Sequence, residues 1–193
     1  MNIFFLHRNP QLCVEWYNDQ HCVKIILEIA QLLFTALHAH DDPGWQDGFD
    51  KVYKPTHSKH PMTLWVTEHP QNFLTALFLG LELCYEYTSR RKRTHKCQAL
   101  LEHMLRRVPS HPKAVEWKAD TVRADAFTNC TPVPLCMPVE YHVYVDGQAD
   151  LFASYVEYYK QRKLRFDSGR MATWACPIPS VFAEPYAALV AKA

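Results

Sequence analysis

The sequence predicts a mainly α fold: a compact helical bundle with a short N-terminal strand or arm and a long Pro-rich connection. Three observations carry this. Only 5 Gly stand against 13 Pro, which disfavours a sheet-and-turn protein and scatters helix-breaking points along the chain. Several segments repeat apolar residues at helical spacing. Hydrophobic residues make up 48% and charged residues 21% of the 193, enough for a full core in one domain spanning 1–193.

Residues 2–6, NIFFL, are apolar and short, and suit a strand or a buried arm. Pro10 opens a helical stretch, in one or two pieces. Residues 16–38, WYNDQHCVKIILEIAQLLFTALH, form the clearest helix, stopped by Asp41-Asp42-Pro43-Gly44. Residues 43–61 are a loop ending YKPTHSKHP, followed by a short helix at 62–68. Pro70 opens a second long helix running to about residue 89, and an amphipathic helix is expected at 96–107. Residues 108–146 carry Pro109, Pro112, Pro132, Pro134 and Pro138 with little periodicity, so a long irregular segment is expected. A last helix spans about 148–166, and the tail contains Pro177, Pro179 and Pro185.

Charge and cysteine content narrow the function classes. The formal net charge is +1, so nucleic-acid affinity must come from local patches. The 7 cysteines are odd in number and include no CxxC pair. Reduced thiols in a cytoplasmic setting fit better than a zinc ribbon or a disulfide framework. No apolar stretch is expected to act as a membrane span. Asn2 is bulky, so Met1 is expected to stay on the chain.

The first long helix carries the chemistry. At 100° per residue, His21, Lys24, Glu28, Gln31, Thr35 and His38 share a sector of roughly 100°, and every other face is apolar. Such a helix should be central and covered on most sides. The stripe reads either as a solvent face or as the wall of a cleft. Its short, chemically mixed side chains favour the cleft, where Glu28 would act as a general base and Lys24 would sit one turn away.

Asp19-Gln20-His21, with Glu28 nine residues after Asp19, resembles the first helix of the pyrimidine-dimer DNA glycosylases of the phage endonuclease V type. There an Asp-Gln-His opens the helix, and a glutamate at this spacing is the catalytic carboxylate. A related bacterial branch has an Asn-His-Pro followed by a Trp, and a later Cys-Glu-(Trp or Tyr). Here Lys59-His60-Pro61 precedes Trp65, and Cys84-Tyr85-Glu86-Tyr87 lies in the second long helix. The helix with Tyr155, Tyr158, Tyr159 and Lys160 resembles that family's C-terminal Tyr-Lys-Tyr-Tyr. The chain as a whole is similar to proteins of phages and large viruses.

The resemblance implies a DNA N-glycosylase acting on a damaged or modified base, a pyrimidine by analogy, with Glu28, Asp19 and Lys24 as catalytic residues. His21 and Gln31 would bind the substrate, and Tyr53, Lys54, His57 and His60 in the following loop would line a flipped-base pocket. The family's amine nucleophile sits on a shorter N-terminus. The longer Met-Asn start here implies a monofunctional enzyme using a carboxylate and water. A base- or nucleotide-modifying enzyme with the same pocket, and a non-catalytic nucleic-acid-binding module, remain alternatives.

Two basic clusters suit a DNA backbone: Arg90, Arg91, Lys92, Arg93 and Lys96 at a helix junction, and Lys160, Arg162 and Lys163 beside tyrosines. Both read equally well as solvated helix ends, and the tyrosines as core. His57 and His60 share a His-x-x-His spacing, too common among 11 His to indicate a metal, and no cofactor is expected. DNA is the expected partner, with no membrane and a monomeric state favoured.

Overall fold

The computed structural model describes residues 2–40, 45–105 and 130–191. Seven α-helices occur among them: α1 (Pro10–Glu15), α2 (Asp19–His40), α3 (Pro61–Glu68), α4 (Pro70–Arg91), α5 (Gln98–Met104), α6 (Leu151–Arg162) and α7 (Ser180–Val190). The mainly α expectation therefore holds. The expected stop at Asp41–Gly44 and the part of the Pro-rich segment from 108 to 129 lie outside the described residues.

Three helices open with one local device. Asn9, His60 and His69 each accept a backbone N–H two or three residues on, and each is followed by a proline at the first helical position. The side chain caps a donor left free by the helix start, and the proline supplies a helical φ where no N–H is needed. These prolines start helices as much as they interrupt the chain.

α2 lies at the centre, packed against α3 and α4. Its buried residues include Ile25, Ile26, Ile29, Leu32, Leu33, Phe34 and Leu37. It meets α4 at Gly80, where a Cβ would stand 2.9 Å from Ile29 Cγ2 and 3.1 Å from Leu101 Cδ1. The expectation that no stretch could act as a membrane span is corrected in one respect: by length and composition α2 could cross a membrane. Here most of that surface is buried within the fold.

Residues 2–6 resolve as an arm, with Ile3, Phe4, Phe5 and Leu6 buried. Its backbone partners are side chains. The Phe4 N–H donates to the Tyr17 hydroxyl at 2.8 Å, which returns its own proton to Phe4 O at 2.7 Å. The Leu6 N–H reaches Cys13 Sγ at 3.3 Å. These bonds satisfy a buried extended segment without a neighbouring strand.

Two elements depart from expectation. Residues 143–150 form an antiparallel hairpin, β1 (Val143–Val145) with β2 (Gln148–Asp150), in the register Val143↔Asp150 and Val145↔Gln148. Its turn residues Asp146 and Gly147 both have positive φ, 50° and 76°, the two-residue geometry that an Asp-Gly pair favours. The tail forms α7 despite Pro185 inside it.

The buried guanidinium of Arg90, its side chain 3% exposed, ties these parts together. It donates to Glu86 Oε1 at 2.6 Å, to Tyr17 O at 2.7 Å, to Glu15 O at 2.9 Å and to Asp19 Oδ1 at 3.2 Å. The Asp19 carboxylate in turn accepts from Thr173 Oγ1 at 3.0 Å and from the Ala175 N–H at 2.9 Å. One side chain thus joins the end of α1, the start of α2, the last turn of α4 and the tail. Arg90→Ala would strip Asp19 and Glu86 of their cation and leave several carbonyls without this donor. It should destabilise the fold by about 3–5 kcal/mol, read as a lowered denaturant midpoint. A midpoint equal to that of Arg91→Ala, on the exposed neighbour, would contradict this assignment.

Candidate functional site

The six-residue polar stripe of α2 divides into three parts. At its start His21 is 7% exposed, with its ring stacked on Phe4 at a centroid distance of 4.9 Å. The Tyr159 hydroxyl accepts the Asn18 N–H at 2.9 Å, so its own proton is free to go to His21 Nδ1, also at 2.9 Å. His21 is therefore held neutral. Burial lowers its pKa to about 3, with the charges of Lys163 and Lys24 acting in the same direction. The substrate-binding role expected of His21 is corrected: it is a core residue joining α2 to α6.

At the far end the stripe holds a loop. The Thr56 N–H donates to Thr35 Oγ1 at 3.1 Å, and His38 Nε2 contacts Tyr53 O at 3.1 Å. Tyr53 is half-buried against the core: its ring meets Phe34 edge-on and its hydroxyl lies 3.7 Å from the buried Cys97 sulfur. Lys54 is exposed beside it.

The middle of the stripe remains. Glu28 is half-buried, its side chain 12% exposed, while Lys24 is 63% exposed. Each carboxylate oxygen has a partner: Oε2 accepts the Asn2 backbone N–H at 2.9 Å, and Oε1 lies 3.3 Å from Lys24 Nζ. Asn2 is anchored in turn. Its amide donates to Cys136 O at 2.9 Å, and its Oδ1 lies 3.2 Å from the Tyr155 hydroxyl. Gln31 is half-buried one turn further along the helix.

His60 caps the start of α3, and burial lowers its pKa. Its Nδ1 accepts the Met62 N–H at 3.2 Å, so the neutral ring carries its proton on Nε2, free to donate. His57 is exposed in a left-handed conformation, φ 50°, with Nδ1 2.7 Å from Thr56 Oγ1. Among the described residues no three His, Cys, Asp or Glu side chains are placed to hold a metal ion.

Two further expectations are corrected. Asp19 is committed to Arg90, Thr173 and Ala175, which fits a structural carboxylate rather than a catalytic one. Arg90 is buried and its fork is occupied, so it is withdrawn from the DNA-backbone set. Arg91, Lys92, Arg93, Lys96 and Arg162 are exposed, Lys160 is half-buried, and Lys163 lies over the Tyr158 ring at 5.0 Å. Tyr155 and Tyr159 are fully buried core residues.

The sequence reading expected a strand or buried arm at 2–6 but missed Asn2 as a partner of Glu28. The arm folds back along α2 and brings Asn2 onto Glu28. The one sequence sign was a polar residue immediately ahead of four apolar ones. Compared with protein-family models, curated proteins and solved structures, the chain matches none.

The buried neutral His21 sets a pH dependence. Between pH 6.5 and about 3 the unfolded chain binds a proton at this residue that the folded chain refuses. Stability should therefore fall as pH falls through that window, by at most about 1.4 kcal/mol per pH unit from this group. His21→Gln keeps an acceptor and removes the titration. Urea unfolding from pH 7 to 4 should show a shallower decline for this variant, and identical slopes would refute the assignment.

Proposed function

We propose that the chain is a DNA N-glycosylase releasing a damaged or modified base, a pyrimidine by its resemblance, with Glu28 as the acting carboxylate. The observation that carries this reading is the half-buried Glu28 carboxylate, oriented through both oxygens by Asn2 and Lys24. Breaking an N-glycosidic bond leaves positive charge on the sugar. A fixed carboxylate can stabilise that charge or take a proton from the attacking water. Lys24 pairs with Glu28 and offers an exposed cation to a neighbouring phosphate. His60, through Nε2–H, is a donor for the departing base, with Gln31 and His57 as further polar contacts.

Glu28→Gln keeps the shape and removes the charge. It should reduce base release by at least about 100-fold, with DNA binding and thermal midpoint near those of the native chain. Full activity in this variant, on a substrate the native chain cleaves, would remove Glu28 from the mechanism.

A carboxylate and water need no amine, so the expected product is an intact abasic site with no borohydride-trapped complex. A second reading follows from the resemblance alone, in which an amine rather than water attacks the sugar. A trapped complex that survives Lys24→Ala but is lost when the amino terminus is blocked would establish that reading instead. One lost in Lys24→Ala would make Lys24 the nucleophile.

A further inference from the structure

Beside the first turns of α2 lies a cavity of about 570 Å³ whose walls include Gln20, Val23, Lys24, Arg91, Phe166 and Arg170. Its size falls in the range of roughly 300–1,000 Å³ typical of small-molecule sites. Three cations, Lys24, Arg91 and Arg170, stand on its walls, and Val23, Met171 and Phe166 supply apolar surface. The acid on the wall, Asp19, is paired with the buried Arg90, which it shares with Glu86. The cavity therefore presents net positive charge over an apolar base.

Phe166 and Arg170 form a built platform. The Arg170 guanidinium lies over the Phe166 ring at 5.4 Å, and its Nη2 donates to Gln20 Oε1 at 2.7 Å. The Phe166 ring is braced edge-on by His21 at 6.2 Å. A flat cation held over an aromatic face is a surface on which a nucleobase stacks, and flanking cations meet the phosphates on either side. Lys24 lines this cavity and also pairs with Glu28 one turn further on.

We infer that this cavity is a strand-holding subsite: it takes an unpaired nucleotide of the DNA strand next to the one at Glu28, stacking its base on Phe166–Arg170 and meeting its phosphates with Arg91, Arg170 and Lys24. The inference rests on the glycosylase reading for the identity of the ligand. The chemistry of the cavity itself asks for a flat ring joined to anions.

The test is binding of a fluorescein-labelled oligothymidylate of ~10 nucleotides, followed by anisotropy across a salt series. Phe166→Ala should weaken binding about tenfold. Phe166→Leu, which preserves burial but has no ring, should also weaken it with an unchanged thermal midpoint. Arg91→Ala and Arg170→Ala should each flatten the log–log salt slope by about 0.7. Arg170→Lys keeps the charge and loses the plane, so affinity should drop several-fold while the slope stays.

Unchanged affinity in folded Phe166→Leu and Arg170→Ala would overturn the inference. So would thymidine monophosphate competing as well as the oligomer, which would make this a single-nucleotide pocket. A native chain that releases no base, yet binds the oligomer through Phe166 and Arg170, would keep the subsite and reject the glycosylase reading. Base release alongside unaltered binding in every variant would do the reverse.

Discussion

A guanidinium taken out of water is tolerable only where its donors are met, and Arg90 meets them with parts of the chain far apart in sequence. It binds carbonyls at the end of α1, Asp19 at the start of α2 and Glu86 on its own helix. Through Asp19 it also fixes the backbone near Ala175. The planar fork matters: a lysine offers a point charge and cannot address three directions at once. The entry angle of α2 follows from this junction, and with it the direction in which Lys24 and Glu28 face.

That junction changes the meaning of the motif that first drew attention. Asp19 and His21 both look like site residues by spacing and chemistry, yet each looks inward, Asp19 to Arg90 and His21 to Tyr159. Both place the helix rather than act from it. Thr35 and His38 hold the 53–56 segment. The middle of the stripe, with Lys24, Glu28 and Gln31, keeps polar groups near solvent, and Glu28 borrows its second partner, Asn2, from the arm.

The long helices were legible because α2 and α4 combine wide apolar surfaces with proline starts, which the 3.6-residue period exposes directly. The hairpin at 143–150 was also written in the chain, as Val-Tyr-Val followed by Asp146-Gly147, but the neighbouring prolines drew the reading toward irregular structure. Helix α7 was hidden by Pro185, a residue usually placed at helix starts. The arm could not be told from a strand, because Tyr17 and Cys13, its hydrogen-bonding partners, show nothing in their local pattern. Within the site, Glu28 was visible from helical spacing alone. Whether a polar stripe faces water or a neighbouring ring depends on long-range partners such as Tyr159, 138 residues away, and periodicity carries no such information.

The breadth of the apolar surface on α2 has a consequence for how the protein is made. This helix leaves the ribosome before α3 and α4, the elements that cover it. Some fifty residues separate its end from the end of α4, which at 5–20 residues per second is an interval of roughly 3–10 s. Throughout that interval the nascent chain displays a segment that, by length and composition, could cross a bilayer. The length of that exposure is set by the speed of synthesis, and it ends only when α3 and α4 arrive to cover the helix.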